Sequence, residues 1–274
     1  MRDIKQLLDF YINSSLHVAF AVFSLVKMTQ FMFHISDNSS VGYFAFFGTI
    51  VGYNFVKYDA LARSQRLEMR KQLKAITMIS FIALIGAIFF FFQLQNTTKA
   101  IGMFFFALTL IYTLPFFPNK KNARNWAGIK IYIVALCWVG VTLVLPIVNA
   151  EITITSDFYL KCIQRFILVF VLILIFEIND IKNDDPHLQT VPQQIGVKKT
   201  KVLGYFLLLI FCALEVFNSN FQLSLKPFLL VVLIAIMVAM FLYFVNEQKS
   251  KYYTSFWVES VPIFWWLLLF FLSL

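Results

Sequence analysis

Long apolar segments separated by short polar connections recur along the whole chain. A transmembrane helix needs about 20 consecutive, mostly apolar residues, and nine segments approach that length. The pattern therefore predicts an all-α, polytopic membrane protein: a bundle of about nine transmembrane helices that forms a single membrane domain over residues 1–274. The predicted spans are 15–35, 40–57, 75–95, 98–117, 128–149, 158–179, 201–218, 226–245 and 255–273.

The composition agrees with a membrane protein and excludes an ordinary soluble domain. Of the 274 residues, 60% are hydrophobic and 14% are charged, whereas soluble domains have about 25% charged residues. The net charge of +9 does not indicate a nucleic-acid partner, because basic residues in a membrane protein first report its topology. The expected surroundings of the chain are membrane lipids.

The basic residues are distributed unevenly between the connections. Of the 23 Lys and Arg residues, 18 lie at the N-terminus and in every second connection. Cytoplasmic connections are the ones enriched in Lys and Arg. The distribution thus predicts cytoplasmic loops near 57–75, 117–130 and 179–201. It also predicts a cytoplasmic N-terminus and an external C-terminus in a plasma (inner) membrane.

Four of the 14 acidic residues lie within nine positions at the end of the sixth predicted span: Glu177, Asp180, Asp184 and Asp185. On a helix, spacings of three and four residues place side chains on one face, so the first three project together. Such carboxylates repel each other unless a cation lies among them, and Mg²⁺ binds carboxylate and phosphate oxygens. We interpret Asp180, Asp184 and Asp185 as metal ligands. The alternative is a solvated, acidic helix end.

Side chains suited to phosphate oxygens lie on the same predicted face. They are Asn54 and Lys57 at the end of the second span, and Lys120, Lys121, Arg124 and Lys130 around the start of the fifth. Acids for a metal and bases for phosphate on one membrane face suit a diphosphate headgroup, and aromatic-rich helices suit its lipidic tail. Topology alone explains the four bases of 117–130 equally well.

Two ionisable residues, His17 and Lys27, lie inside the first predicted span. An ionisable side chain at membrane depth is costly and is therefore a functional candidate. Lys27 has a second interpretation, in which its long side chain reaches the membrane surface.

The segment 180–196, DIKNDDPHLQTVPQQIG, resembles the second aspartate-rich motif of the UbiA-type intramembrane prenyltransferase superfamily. That motif has the pattern D-x-x-x-D followed by T-[LI]-P and a glycine, and Asp180, Asp184, Thr190, Pro192 and Gly196 match it in order. The segment YTLPFFPNKK at 112–121 is similar to the tyrosine-proline-lysine element that ends the family's fourth helix.

The first motif of the family, N-D-x-x-D-x-x-x-D, is degenerate in this chain. Asn54 matches its asparagine, but its acid positions hold Phe55, Tyr58 and Ala62, and Asp59 is one residue out of register. Lys57 and Arg63 are the neighbouring cations, and we expect them to contact phosphate directly in place of one metal ion.

The resemblance implies transfer of a prenyl group from a prenyl diphosphate to a hydrophobic aromatic or lipid acceptor. Asp180 and Asp184 would be catalytic and would hold Mg²⁺ with Asp185. The implied diphosphate ligands are Asn54, Lys57, Lys120, Lys121, Arg124 and Lys130. Side chains expected behind these ligands are Glu177, Asp59, Gln189 and Thr190.

Two other functions remain open. The lost acids of the first motif also fit a catalytically degenerate member that binds or moves a lipid or supports a partner. An unrelated small transporter ranks last, because the acids lie at the membrane face rather than at the midplane.

Overall fold

The computed structural model describes residues 2–36, 39–63, 70–114, 128–218 and 225–273. Every regular element within these ranges is helical. The α-helices are α1 Arg2–Asn13, α2 Leu16–Met32, α3 Ser39–Arg63, α4 Arg70–Phe92, α5 Asn96–Thr113, α6 Lys130–Val139, α7 Leu145–Asn149, α8 Ser156–Asp180, α9 Val191–Ile195, α10 Val197–Val216, α11 Lys226–Phe244 and α12 Val261–Ser273.

Each predicted span overlaps a helix, although the ends differ. In the described ranges, five helical stretches are long and apolar enough to cross a membrane: Gln72–Phe92, Lys130–Asn149, Ser156–Asp180, Lys226–Phe244 and Tyr253–Leu272. A bent pair, Ile4–Asn13 with Leu16–Met32, adds a sixth if it forms one span. The chain is thus a polytopic membrane protein, and nine spans remain a prediction. Helical residues also occupy much of the predicted 57–75 connection, because α3 continues to Arg63 and α4 begins at Arg70.

The first predicted span is preceded by a helix that the apolar pattern did not indicate. Helix α1 is amphipathic and meets α2 at an angle of 60°. Ser15 lies between them in the left-handed conformation with φ of 61°, which ends the first helix. The Ser14 hydroxyl donates to the Tyr11 carbonyl at 3.2 Å. The break leaves polar backbone and side-chain groups of residues 11–15 facing the other helices.

The helices pack mostly on their neighbours in the chain. Contacts join α2 to α3, α3 to α4, α6 to α8, α8 to α10 and α10 to α11, and α12 packs against both α11 and α2. Helix α8 contributes most to the largest apolar cluster, through residues such as Leu168, Val171 and Ile175, which are at most 2% exposed. The buried α8 is therefore the element that fixes the acid cluster at its C-terminal end.

Two membrane helices contain π-helical turns. Gly140–Val144 connects α6 to α7, and Tyr253–Val258 precedes α12. At Gly140 a β-carbon would lie 2.0 Å from the Phe105 ring, so only glycine permits this contact with α5. A π-turn adds one residue to a helical turn and is frequent at functional sites.

Candidate functional site

The acid cluster begins at the last turn of α8. The helix ends at Asp180, but the Asp184 amide donates to the Asp180 carbonyl at 2.9 Å. This is the i to i−4 spacing of an α-helical turn, so Asp184 lies one turn beyond Asp180 even though the residues between them form a turn. The two carboxylates therefore remain neighbours, as their spacing predicted.

Glu177 fixes the chain that follows the acids. This residue is 3% exposed, and its Oε2 accepts a hydrogen bond from the Val191 amide at 3.1 Å. Gln193 Oε1 accepts from the Thr190 amide at 2.9 Å, and Gln193 Nε2 donates to the Asp185 carbonyl at 3.3 Å. Thr190 is buried as well. Glu177 and Thr190 thus lie behind the acids and hold the Thr-Val-Pro segment against α8.

Asp185 and Gln189 take part in the hydrogen bonding of the loop itself. Asp185 Oδ1 accepts from the His187 amide at 2.9 Å and begins the 3₁₀ turn Pro186–Leu188. Gln189 has φ of 45°, and its carbonyl accepts from Gln194 Nε2 at 2.6 Å. Both residues are exposed. Of the predicted metal ligands, Asp180 and Asp184 are therefore the better placed pair.

Lys130 is a described base whose charge reaches the acids. The amide of Gly128, just before α6, donates to the Leu188 carbonyl at 3.2 Å and joins the start of α6 to the acid loop. The charge of Lys130 acts on both Glu177 and Asp180, as does the charge of Asp184. A cation thus acts on two carboxylates at one end of α8. Lys120, Lys121 and Arg124 lie outside the described residues.

Several oxygen atoms at this end of α8 are buried without a hydrogen-bond partner. In the described ranges these include Asp184 Oδ2 and Asn179 Oδ1, while Asn179 Nδ2 donates to Asp180 Oδ1 at 3.2 Å. A buried oxygen without a donor is costly, and such oxygens are the atoms that Mg²⁺ binds.

The described part of the chain contains no group of three or more His, Cys, Asp or Glu side chains arranged for a metal. Mg²⁺ sites in phosphate-binding proteins use one or two carboxylates and complete the shell with waters and substrate phosphates. The Asp180–Asp184 pair fits that kind of site.

The residues of the first motif lie in a separate polar region at the end of α3. Asn54 is 3% exposed and donates through Nδ2 to the Ser14 carbonyl at 3.1 Å and to Ser80 Oγ at 2.9 Å. Lys57 Nζ donates to Ser15 Oγ at 3.1 Å. Both side chains therefore contact the break between α1 and α2. The side chain of Asp59 lies outside the described residues.

This second region also contains Glu259, which the sequence patterns did not single out. Glu259 interacts electrostatically with Lys57, Tyr53 and Tyr11. The Tyr53 hydroxyl accepts a hydrogen bond from Trp138 Nε1 at 2.8 Å. One signal was present in the sequence: Glu259 is an acid inside the last apolar span, where carboxylates are rare.

His17 is buried in the same region, whereas Lys27 is not part of it. The two ring nitrogens of His17 lie 3.0 Å from the Tyr11 hydroxyl and 2.9 Å from the Phe256 carbonyl. Lys27 lies over the Phe23 ring, with 5.7 Å between Nζ and the ring centre.

The fold is shared with two solved structures. A UbiA homolog from Archaeoglobus fulgidus matches with a TM-score of 0.62 and 13% identity, over 97% of this chain and 100% of that chain. A digeranylgeranylglyceryl phosphate synthase, described in membranes, matches with a TM-score of 0.57 and 14% identity, over 98% of both chains. No protein-family model and no curated protein matches the sequence.

The apolar helices and the site define an integral membrane protein with a polar, acid-containing end of its helical bundle. Its fold is the one seen in the UbiA homolog. The UbiA-type resemblance is therefore confirmed at the level of the fold.

Proposed function

We propose that the protein is a UbiA-type prenyltransferase, which transfers a prenyl group from a prenyl diphosphate to a hydrophobic aromatic or lipid acceptor. The main support is the Asp180–Asp184 pair with Lys130 close by, where Asp184 Oδ2 and the neighbouring Asn179 Oδ1 are buried without a partner in the described chain. These groups lie at the end of a buried helix in a UbiA-type fold. Unsatisfied, clustered charge is characteristic of sites that bind a charged ligand.

The reaction breaks the bond between the prenyl carbon and the diphosphate oxygen. Asp180 and Asp184 would hold Mg²⁺, which supplies positive charge to the departing diphosphate when bound. Lys130 would stabilise the same charge, together with Lys120, Lys121 and Arg124. The apolar helices exclude water from the allylic cation.

The proposed topology has nine spans in a plasma (inner) membrane. The N-terminus and the acid loop would face the cytoplasm, and the C-terminus the outside. Support comes from the concentration of Lys and Arg in alternate connections, since positive charge is retained on the cytoplasmic side.

The test uses purified protein in liposomes with labelled prenyl diphosphates and Mg²⁺, and it measures binding and transfer separately. Asp180→Asn and Asp184→Asn should each lower transfer about 100-fold or more and weaken Mg²⁺-dependent binding. Glu247→Gln is the matched control, because this acid is exposed and pairs with Lys182 at 3.1 Å. Wild-type protein that neither binds nor transfers any prenyl diphosphate would contradict the proposal.

A degenerate, lipid-binding relative of these enzymes is the second candidate. The observation in its favour is the set of residues at the first-motif acid positions, Phe55, Tyr58 and Ala62. Tyr58 instead donates its hydroxyl to the Asn13 carbonyl at 2.8 Å, which is a structural role. Prenyl diphosphate binding without transfer, for every acceptor class offered, would select this candidate.

A further inference from the structure

Glu259 is a carboxylate inside the last membrane-spanning stretch, Tyr253–Leu272. An ionisable residue at this depth needs a partner or a function. Lys57 of α3 and the phenol groups of Tyr53 and Tyr11 are the groups whose charges act on it. Helices α1 and α3 and the turn before α12 thus bring polar side chains near one another.

The Glu259 carboxylate has no close partner among the residues that the structure describes. It forms no ion pair within 4 Å and accepts no hydrogen bond there, and the residue remains partly exposed. By contrast, the buried Lys161 is paired with Glu215. An acid that is accessible, internal and unpaired has its oxygens available for a ligand.

The backbone that presents Glu259 is held from both sides. The π-helical turn Tyr253–Val258 ends directly before it, and His17 Nε2 lies 2.9 Å from the Phe256 carbonyl and 3.1 Å from Ser260 Oγ. Without the extra residue of the π-turn, Glu259 would be rotated by about 100° around the helix axis. The irregular turn therefore sets the direction of this carboxylate.

Hydrogen-bond donors lie on the α3 side of the same point. The Tyr53 hydroxyl accepts from Trp138 Nε1, and within the described chain its own proton has no acceptor. Lys57 Nζ donates to Ser15 Oγ at 3.1 Å and to the Ile12 carbonyl at a long 3.4 Å, which leaves one of its three protons. An accepting carboxylate opposite unused donors matches a hydroxyl group, which both donates and accepts.

We propose that Glu259, Tyr53 and Lys57 bind the hydroxyl of the acceptor, and that Glu259 takes the proton which the acceptor loses; this inference rests on the proposed prenyltransferase function. The acceptor is then a hydroxyl-bearing amphiphile. Its oxygen forms a bond to the prenyl carbon with a lone pair, the diphosphate leaves with the electrons of the broken carbon–oxygen bond, and the hydroxyl proton passes to the Glu259 carboxylate. This carboxylate lies in the turn before α12, whereas the first motif on α3 has lost its own acids.

Acceptor binding tests this proposal without turnover. The probes are a long-chain alkylphenol and the alkylbenzene of equal length, each measured for equilibrium binding to the full protein in liposomes. Wild-type protein should bind the phenol about tenfold more tightly or better, since a hydrogen bond to a charged group has that order of effect. Glu259→Gln should remove most of this preference, and Glu259→Asp should restore part of it. Equal affinity of the wild type for both probes would overturn the proposal.

Transfer and prenyl diphosphate binding provide the second measurement. Glu259→Gln should lower transfer by about 10²-fold or more, as expected for loss of a general base, while prenyl diphosphate affinity stays within about twofold. Glu151→Gln, an exposed acid outside this region, is the matched control. A Glu259→Gln variant that transfers at the wild-type rate would overturn the inference alone. A wild type that fails to bind prenyl diphosphate would instead overturn the proposed function, and the phenol preference would still decide the inference.

Discussion

Both ends of α8 contain buried charged groups, but the two sets differ in their hydrogen-bond partners. Near the start of the helix, Lys161 Nζ donates to Glu215 Oε2 at 2.5 Å and to Gln164 Oε1 at 3.1 Å. Gln164 Nε2 also donates to Glu215 at 2.9 Å. Near the other end, Asp184 Oδ2 and Asn179 Oδ1 have no partner within the described residues.

The difference separates charges that hold the bundle together from charges that are available to a ligand. Lys161, Gln164 and Glu215 lie on α8 and α10, are at most 6% exposed and use each other's hydrogen bonds. Because a satisfied buried network has little left to offer a substrate, it is expected to stabilise the fold. A cluster with unused oxygens makes the folded protein less stable by itself, and binding of a cation then raises the free energy of unfolding. The two ends should therefore respond in opposite ways to loss of a charge.

The largest effect is expected for Lys161→Met. Removing one partner of a buried ion pair leaves the other charge uncompensated, which costs about 3–5 kcal/mol. The free energy of unfolding in mixed micelles should fall by that amount.

The double variant Lys161→Met, Glu215→Leu is the control for this prediction. Apolar residues of similar volume in place of both charges should recover most of the lost stability. A Lys161→Met protein as stable as the wild type would contradict the structural role and would place this network among the ligand-binding charges.

A smaller effect of opposite sign is expected for Asp184→Asn. The substitution removes a charge that repels Glu177 and Asp180, and Oδ2 gives up no hydrogen bond that the described chain provides. Without Mg²⁺, the variant should equal the wild type in unfolding free energy or exceed it by up to about 1 kcal/mol. The gain should disappear when Mg²⁺ and a prenyl diphosphate are added, because the wild type alone is then stabilised. A loss of several kcal/mol would show that Asp184 is a structural residue like Lys161.

The sequence indicated the acid cluster at the C-terminal end of α8 but not the Lys161–Glu215 pair near its start. The acids of 177–185 are close in the chain, so their spacing was enough to place them together, and the Val191 amide of the Thr-Val-Pro segment bonds to Glu177. Lys161 and Glu215 are 54 positions apart and meet only because α8 packs on α10. Pairings of this kind depend on which helices are neighbours, and hydropathy does not specify that.

The same limit explains why Glu259 and the break between α1 and α2 were missed. Glu259 and Lys57 are about 200 positions apart, and a single acid in an apolar span has no periodicity to detect. The break depends on the left-handed conformation of Ser15, which serine adopts only when its surroundings favour it. Helix existence was thus predictable from apolar length, whereas the interior polar groups were not.

The smallest effect is expected for Lys182→Ala. Lys182 belongs to the acid segment and pairs with Glu247 at 3.1 Å, but both side chains are about half exposed, at 55% and 45%. Exposed pairs contribute between about 0 and 1 kcal/mol, so the unfolding free energy should change by less than about 1 kcal/mol and the change should shrink at high salt. From its position in the sequence alone, Lys182 would belong to the acid site. Its exposed side chain and its pairing with Glu247 show that it belongs to the surface. If Lys182→Ala lowered prenyl diphosphate binding as strongly as Lys130→Ala, the site would extend over the whole acid loop. Burial would then not distinguish the residues that bind the diphosphate from the other residues of the loop.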